Sequence, residues 1–186
     1  IHIGLKKEGA KDLAFVYSNT LCTIASVFTT NKMTAAPIRH FRAKGEFKGN
    51  FVLINSKNAN AMTGQAGIDD IDEVLQSVCS MFPSIVHPVM SSTGVIGVRL
   101  PKAKIIEGAK QIDLGKRDGV AASEAIMTTD TFAKRIAFEV QLDDGKSFRI
   151  GAMAKGAGMI NPAMATMLCF ITTDAAVGKA AIQDIL

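Results

Sequence analysis

The chain has 186 residues, 48% of them apolar and 20% charged, with a net charge of +4. That length carries one large domain or two small lobes around a sizeable core, and the apolar-to-charged balance is that of a soluble globular protein. No apolar run approaches the roughly 18 residues that a membrane span needs, so a membrane role is not expected.

The chain opens with Lys6 and Lys7 followed by the mixed run EGAKDLAFVY. A secretory leader would place an apolar stretch there, so none is expected. The basic residues are scattered. Their densest group, KAKIIEGAK at 102–110, has an acid within it and no interleaved aromatics. It reads as a solvated helix face, and nucleic-acid binding is not expected. Cys22, Cys79 and Cys169 are odd in number and have no CxxC spacing. They are expected to be reduced, small core residues of a cytoplasmic protein. His2, His40 and His87 lack ligand spacing, so no metal site is expected.

In chain order, residues 13–17 and 22–28 are apolar and β-branched enough for two strands, with SNT as the turn between them. Residues 51–55 (FVLIN) form a short strand that is apolar on both faces and therefore buried. A loop rich in Asn, Ser and Gly, SKNANAMTG, follows it. From Asp69 to Phe82 the apolar residues recur at helical spacing, and Asp69 or Asp70 can cap that helix. Residues 86–98 read as a strand that breaks into a glycine-containing turn. Pro101 stands at a helix-start position ahead of KAKIIEGAKQI, and a second helix covers roughly 118–127. A hairpin follows, AKRIAFEVQL and SFRIGAM joined by DDGK. TMLCFITTD is the last strand, and AAVGKAAIQDIL closes as a helix. Strands and helices mix without strict alternation, so the fold class is α+β rather than a doubly wound parallel sheet.

Three places can carry chemistry. Thr166 opens an apolar run behind GAGMINPAMA, a loop of small residues around Pro162 that adopts bent backbone cheaply. A hydroxyl there can attack the carbonyl of the preceding peptide bond. Hydrolysis of the resulting ester leaves a threonine with a free α-amine, whose ordinary pKa near 8 suits it as base to its own hydroxyl. In SSTGVIG, Thr93 and Gly94 end a strand in a tight turn, the arrangement of an oxyanion hole. TTDT at 128–131 and Lys155 are polar groups flanking an apolar hairpin, and Lys155 could hold a ligand carboxylate. Each feature also reads as ordinary structure: a β-branched strand residue, a turn, a local cap, a solvated lysine.

Taken together, the stretches GLKKEGAKDLAFV, SVFTTNKMTAAPI, VLINSKNANAMTG, SSTGVIGVRLP, AIMTTDTF and IGAMAKGAGMINPAMATMLCFITTDAA resemble the ornithine acetyltransferases of arginine biosynthesis, also called glutamate N-acetyltransferases. The resemblance spans Gly4 to Ala176. It implies an α+β sandwich shared with self-processing aminopeptidases, and cleavage between Ala165 and Thr166. Residues 1–165 would then be an α-subunit-like region, and 166–186 the start of a β-subunit whose remainder lies outside the chain. It further implies that Thr166 takes the acetyl group from N2-acetylornithine and passes it to glutamate in a ping-pong cycle, with acetyl-CoA as a second donor in some members and no bound cofactor. Thr93 and Gly94 would stabilise the oxyanion; Thr128 (or Thr129) and Lys155 would contact substrate. The implied partner is the β-subunit of the same precursor, in a cytoplasmic α2β2 assembly. Two alternatives stay open: a related self-processing amidase, and a non-catalytic α-like module that needs the β portion.

The chain departs from the family pattern at Lys57, where glycine is usual, and at Met62, where cysteine is frequent. It departs again at Ala157 and Ala163, where serine and asparagine are common. Loss of those two polar groups predicts slower cleavage.

Overall fold

The computed structural model describes residues 1–156 and 167–186. β1 (Leu13–Thr23), β2 (Lys48–Asn55) and β3 (Val89–Ser92) form one sheet; β4 (Lys134–Gln141), β5 (Ser147–Lys155) and β6 (Leu168–Thr173) form the second. In the first sheet β1 and β2 run antiparallel while β2 and β3 run parallel. The second is antiparallel throughout. Helices α1 (Ala36–Ala43), α2 (Gly64–Met81), α3 (Lys102–Ala109), α4 (Gly119–Ala125) and α5 (Lys179–Ile185) complete the elements. The architecture is α+β, as expected.

Strand periodicity explains the layering. Successive side chains of a strand point to opposite faces. Leu13, Phe15 and Tyr17 of β1 and Phe51 and Leu53 of β2 pack against the helical side, with Ile71, Val74 and Val78 of α2 and Ile105 of α3. Ala14 and Val16, with Val52 and Ile54, face the other way. They meet Met153 of β5, Leu168 and Phe170 of β6, and Ala125 and Ile126 at the end of α4. The first sheet is thus covered on both faces, which is why FVLIN is apolar without alternation. The second sheet turns Met153 and Phe170, paired in register, inward. Its opposite face carries Ile136, Phe138 and Ile171, each more than half exposed.

Several local expectations are corrected. Residues 13–23 form a single strand, because SNT falls inside a bulge where the register shifts between Tyr17 and Cys22; residues 24–28 lie outside it. α2 begins at Gly64 rather than Asp69, and neither aspartate caps it. Asp69 accepts from Gln65 at 3.0 Å. Asp70, 1% exposed, takes a bidentate pair from Arg99 at 2.7 Å for each bond. Gly67 lets the early turn close, since a Cβ there would stand 2.0 Å from the Thr63 hydroxyl. α1 was not anticipated. The cysteine expectation also fails: the thiols are free, but Cys22 and Cys169 are exposed and only Cys79 is half-buried.

His40 of α1 is buried, with Nε2 3.0 Å from Asp72 Oδ1 and, among the described residues, no partner for Nδ1. Burial pushes its pKa down, with Lys44 adding to that and Asp72 opposing it. The folded state therefore binds fewer protons than the unfolded chain, and stability is lost as pH falls below the ordinary histidine value. A His40→Phe variant is expected to flatten the loss of Tm between about pH 7 and pH 5; parallel curves for the two proteins would refute this.

Candidate active site

Hydrogen bonds and strand pairing link the ends of β2 and β3, the end of α4, and the last residue of β5 with the first of β6. Asn55 and Ser56 leave β2. The Asn55 carbonyl accepts the Thr93 N–H at 3.0 Å, and its amide donates to the Asn58 carbonyl at 2.9 Å. Ser92 Oγ donates to Asn55 Oδ1 at 2.7 Å. Asn58 in turn donates to the carbonyls of Val98 and Arg99, at 3.0 and 3.1 Å, and accepts from the Asn60 N–H. Asn55, Ser56, Asn58 and Asn60 are all buried, and each is satisfied as buried polar groups must be. The asparagine-rich loop is therefore a framework for the Thr93–Gly94 turn rather than loose linker.

Gly94 has φ +137 and lies hard against that loop: a Cβ would stand 2.2 Å from the Lys57 carbonyl carbon. Only glycine permits both the conformation and the approach. Thr93 is 8% exposed. Because its N–H is held by Asn55, an oxyanion hole at this turn would use the Thr93 hydroxyl and the Gly94 N–H, not the Thr93 N–H.

Lys57 carries φ +76, a left-handed conformation that costs a β-carbon residue about 1 kcal/mol or more. Lys57→Gly removes that strain but raises the entropy of the unfolded chain, which offsets part of the gain. We expect a net stability gain of about 0.5 kcal/mol, read as a higher urea midpoint; a lower midpoint would show that the lysine side chain holds the loop.

The end of α4 joins the first sheet to the second. Ser56 Oγ donates to the Ala125 carbonyl at 2.7 Å, and Lys6 Nζ donates to the same oxygen at 3.0 Å. A cation at a helix C-terminus meets the negative end of the helix dipole. Past α4 the chain reaches Thr128, whose Oγ1 accepts from Lys155 Nζ at 3.0 Å. Thr129 is exposed. Lys155 is 6% exposed at the end of β5, where its Cα pairs with that of Leu168 in β6. Burial pushes its pKa down; Asp130 opposes this, and Lys134 adds to it. Asp130 accepts from Lys134 Nζ at 2.8 Å, from the Gly156 N–H at 2.8 Å and from the Thr128 N–H at 3.2 Å. Burial alone would raise the Asp130 carboxyl; the Lys134, Gly156 and Thr128 donors outweigh it and hold the pKa at about 2.

Lys155 and Thr128 are thus brought together, and contacts through Ala125, Ser56 and Asn55 link them to Thr93. Ala165 and Thr166, the expected cleavage pair, lie outside the described residues. Among the described residues no group of three His, Cys, Asp or Glu side chains gathers as a metal site would.

The profile of the ArgJ family matches residues 1–186, the whole chain. The chain belongs to the ArgJ family. The arginine biosynthesis bifunctional protein ArgJ of Wolinella succinogenes is 60% identical over 100% of the chain, and that of Dehalococcoides mccartyi 47% identical over 98%. Those matches cover 47% and 46% of the relatives, so this ArgJ chain spans about half the length of the curated proteins it matches. Among solved structures, the ArgJ protein of Bacillus halodurans superposes with a TM-score of 0.78 at 36% identity, covering 89% of this chain and 88% of that one. The ornithine acetyltransferase of Mycobacterium tuberculosis, solved in complex with ornithine, gives 0.73 at 34% identity, covering 89% and 90%.

Two features of this ArgJ chain were not singled out at the sequence level. Asp130 sits in the middle of TTDT, where hydroxyl residues drew attention and the acid between them did not. Lys6 entered only as part of the basic pair at the start of the chain, yet its ammonium reaches across to the end of α4. The Lys6 contacts lie more than a hundred positions away and leave no local signal; for Asp130, Lys134 four residues on was the available signal, while the bond to Gly156 was not.

Proposed function

We propose that this chain is the α-like part of an acyltransferase that moves acetyl from N2-acetylornithine to glutamate through Thr166. The observation that carries the reading is the buried Lys155 ammonium against the Thr128 hydroxyl, at the start of β6 in an ArgJ chain. In sequence, Thr166 stands two residues before Leu168, the first residue of β6. A buried ammonium with one hydroxyl partner suits a substrate carboxylate, and both amino acids in the reaction carry one.

In this reading the peptide bond between Ala165 and Thr166 is cut first, freeing the Thr166 α-amine. The amine takes the proton of its own hydroxyl as Oγ attacks the acetyl carbonyl carbon of N2-acetylornithine. The negative charge that forms on the carbonyl oxygen is met by the Thr93 hydroxyl and the Gly94 N–H. Collapse breaks the C–N bond, ornithine departs with the proton, and acetyl remains as an ester on Thr166. The glutamate amine then attacks that ester; the C–O bond breaks and Thr166 recovers its proton. Acetyl-CoA is the second donor in this reading, its thioester feeding the same threonine.

The activity belongs to the complete protein. The apolar outer face of the second sheet, lined by Ile136, Phe138 and Ile171, supports a partner layer supplied by the β portion of the same precursor, with paired α/β units as the assembly. The test is to incubate full-length protein with N2-acetylornithine alone and digest it. One acetyl group on the peptide that begins at Thr166, discharged to N-acetylglutamate when glutamate is added, is the expected result. Ornithine release without any acetylated threonine would instead point to hydrolysis by an amidase-like site.

A further inference from the structure

We propose that Asp130 is the positioning residue of this site, holding Thr128 and Gly156 by their backbone N–H groups and fixing the Lys155 ammonium against Thr128 as the receptor for a substrate carboxylate. The inference rests on the acetyl-transfer reading and deepens it.

The geometry is specific. The Asp130 side chain is 2% exposed, yet it ties together three segments. Oδ2 holds the Thr128 N–H, so the backbone that presents the Thr128 hydroxyl cannot drift. Oδ1 holds the Gly156 N–H, which fixes the exit of β5 immediately after Lys155. Oδ1 also takes the Lys134 ammonium of β4. Thr128 and Gly156 are the neighbours, in space and in chain, of the two atoms that make the Lys155–Thr128 bond. One carboxylate therefore sets both ends of that bond.

Electrostatics give Asp130 a second task. Lys155 is buried among like charges: Lys134 lowers its proton affinity, and Lys6, itself coupled to Lys57, lies close enough to feel Lys155. Asp130 is the opposite charge that supports the protonated lysine. The cationic form is the one that attracts a carboxylate, and the Asp130 charge favours that form. Asp130 touches no substrate in this account and acts through Thr128 and Lys155.

The test uses the full-length processed enzyme, with Asp130→Asn and Lys134→Met variants. Lys155 is labelled with acetic anhydride across a pH series and its modification read by peptide mass, while KM and kcat for N2-acetylornithine are followed separately. Asp130→Asn is expected to move the Lys155 labelling midpoint to lower pH and to raise KM roughly tenfold with a smaller change in kcat. Lys134→Met keeps Asp130 and removes a like charge, so it is expected to move the midpoint the other way. Unmoved midpoints, or a wild-type KM for N2-acetylornithine in folded Asp130→Asn, overturn the proposal. If Asp130→Asn does not fold, an unmoved midpoint in Lys134→Met overturns it alone. Wild-type enzyme that transfers no acetyl would sink the acetyl-transfer reading instead, and the labelling midpoints would still report on Asp130.

Discussion

Gly94→Ala in the complete protein is expected to lower kcat for acetyl transfer by about 10²–10³, the cost of losing one oxyanion donor. The loss has a steric origin. At φ +137 the new methyl group would stand 2.2 Å from the Lys57 carbonyl carbon and 2.6 Å from the Asn58 nitrogen. Both are backbone atoms, so no side chain can swing aside. Either the turn rotates or the asparagine loop backs away. The loop is held by the Asn58 amide on Val98 and Arg99, so the turn is the part that moves. Rotation of the turn re-aims the Gly94 N–H away from the developing charge. Circular dichroism should show the fold retained while the rate falls. A folded variant with near wild-type kcat would mean that the turn is not where negative charge develops.

Lys155→Met removes the cation while keeping the length of the side chain. A charged hydrogen bond is worth about 1.5–3 kcal/mol, so KM for N2-acetylornithine should rise about 10–100-fold. Because the carboxylate is gripped equally before and during acetyl transfer, kcat should change much less. The folded protein should survive, since Asp130 keeps its ion pair with Lys134 and methionine fills the space without a charge to bury. A collapse of kcat at unchanged KM would move Lys155 from substrate binding to the chemical step.

Much of the framework is legible in the residues. The unbroken apolar runs LAFVY and FVLIN mark the buried first sheet, and the DDGK turn marks the β4–β5 hairpin in its observed place. Asp118 ahead of α4 caps it by accepting the Ala121 N–H at 2.9 Å. What the residues hide is tertiary. Ser18 to Thr20 have turn chemistry, yet β2 keeps pairing beyond them and draws Cys22 and Thr23 into the same strand through a bulge. Asp69 and Asp70 have capping chemistry, but Arg99, distant in sequence, claims Asp70. α1 is short, and Pro37 in its first turn reads equally as loop punctuation, although proline at a helix start was the signal that could have found it.

At the site, Thr93, Gly94, Thr128 and Lys155 could be named because hydroxyls, glycines and lysines in such motifs suggest chemistry by type. Their roles could not be separated there. The choice of Thr128 over Thr129 for the lysine contact depends on which hydroxyl faces β5, and the loss of the Thr93 N–H as a free donor depends on pairing with Asn55. Asp130 was hidden for a related reason: Thr128 and Lys134 are near it in sequence, but its tie to Gly156 at the end of β5 is 26 positions away.

The measurement that bears most directly on this account is the intact mass of the full-length precursor beside its Thr166→Ala variant. The wild type is expected to separate into one piece ending at Ala165 and another beginning at Thr166, while the variant stays whole. A wild type that remains a single chain, or a variant that is cut at the same bond, would contradict a self-released threonine nucleophile. Lys155, Thr128 and the Thr93–Gly94 turn would then serve some other chemistry.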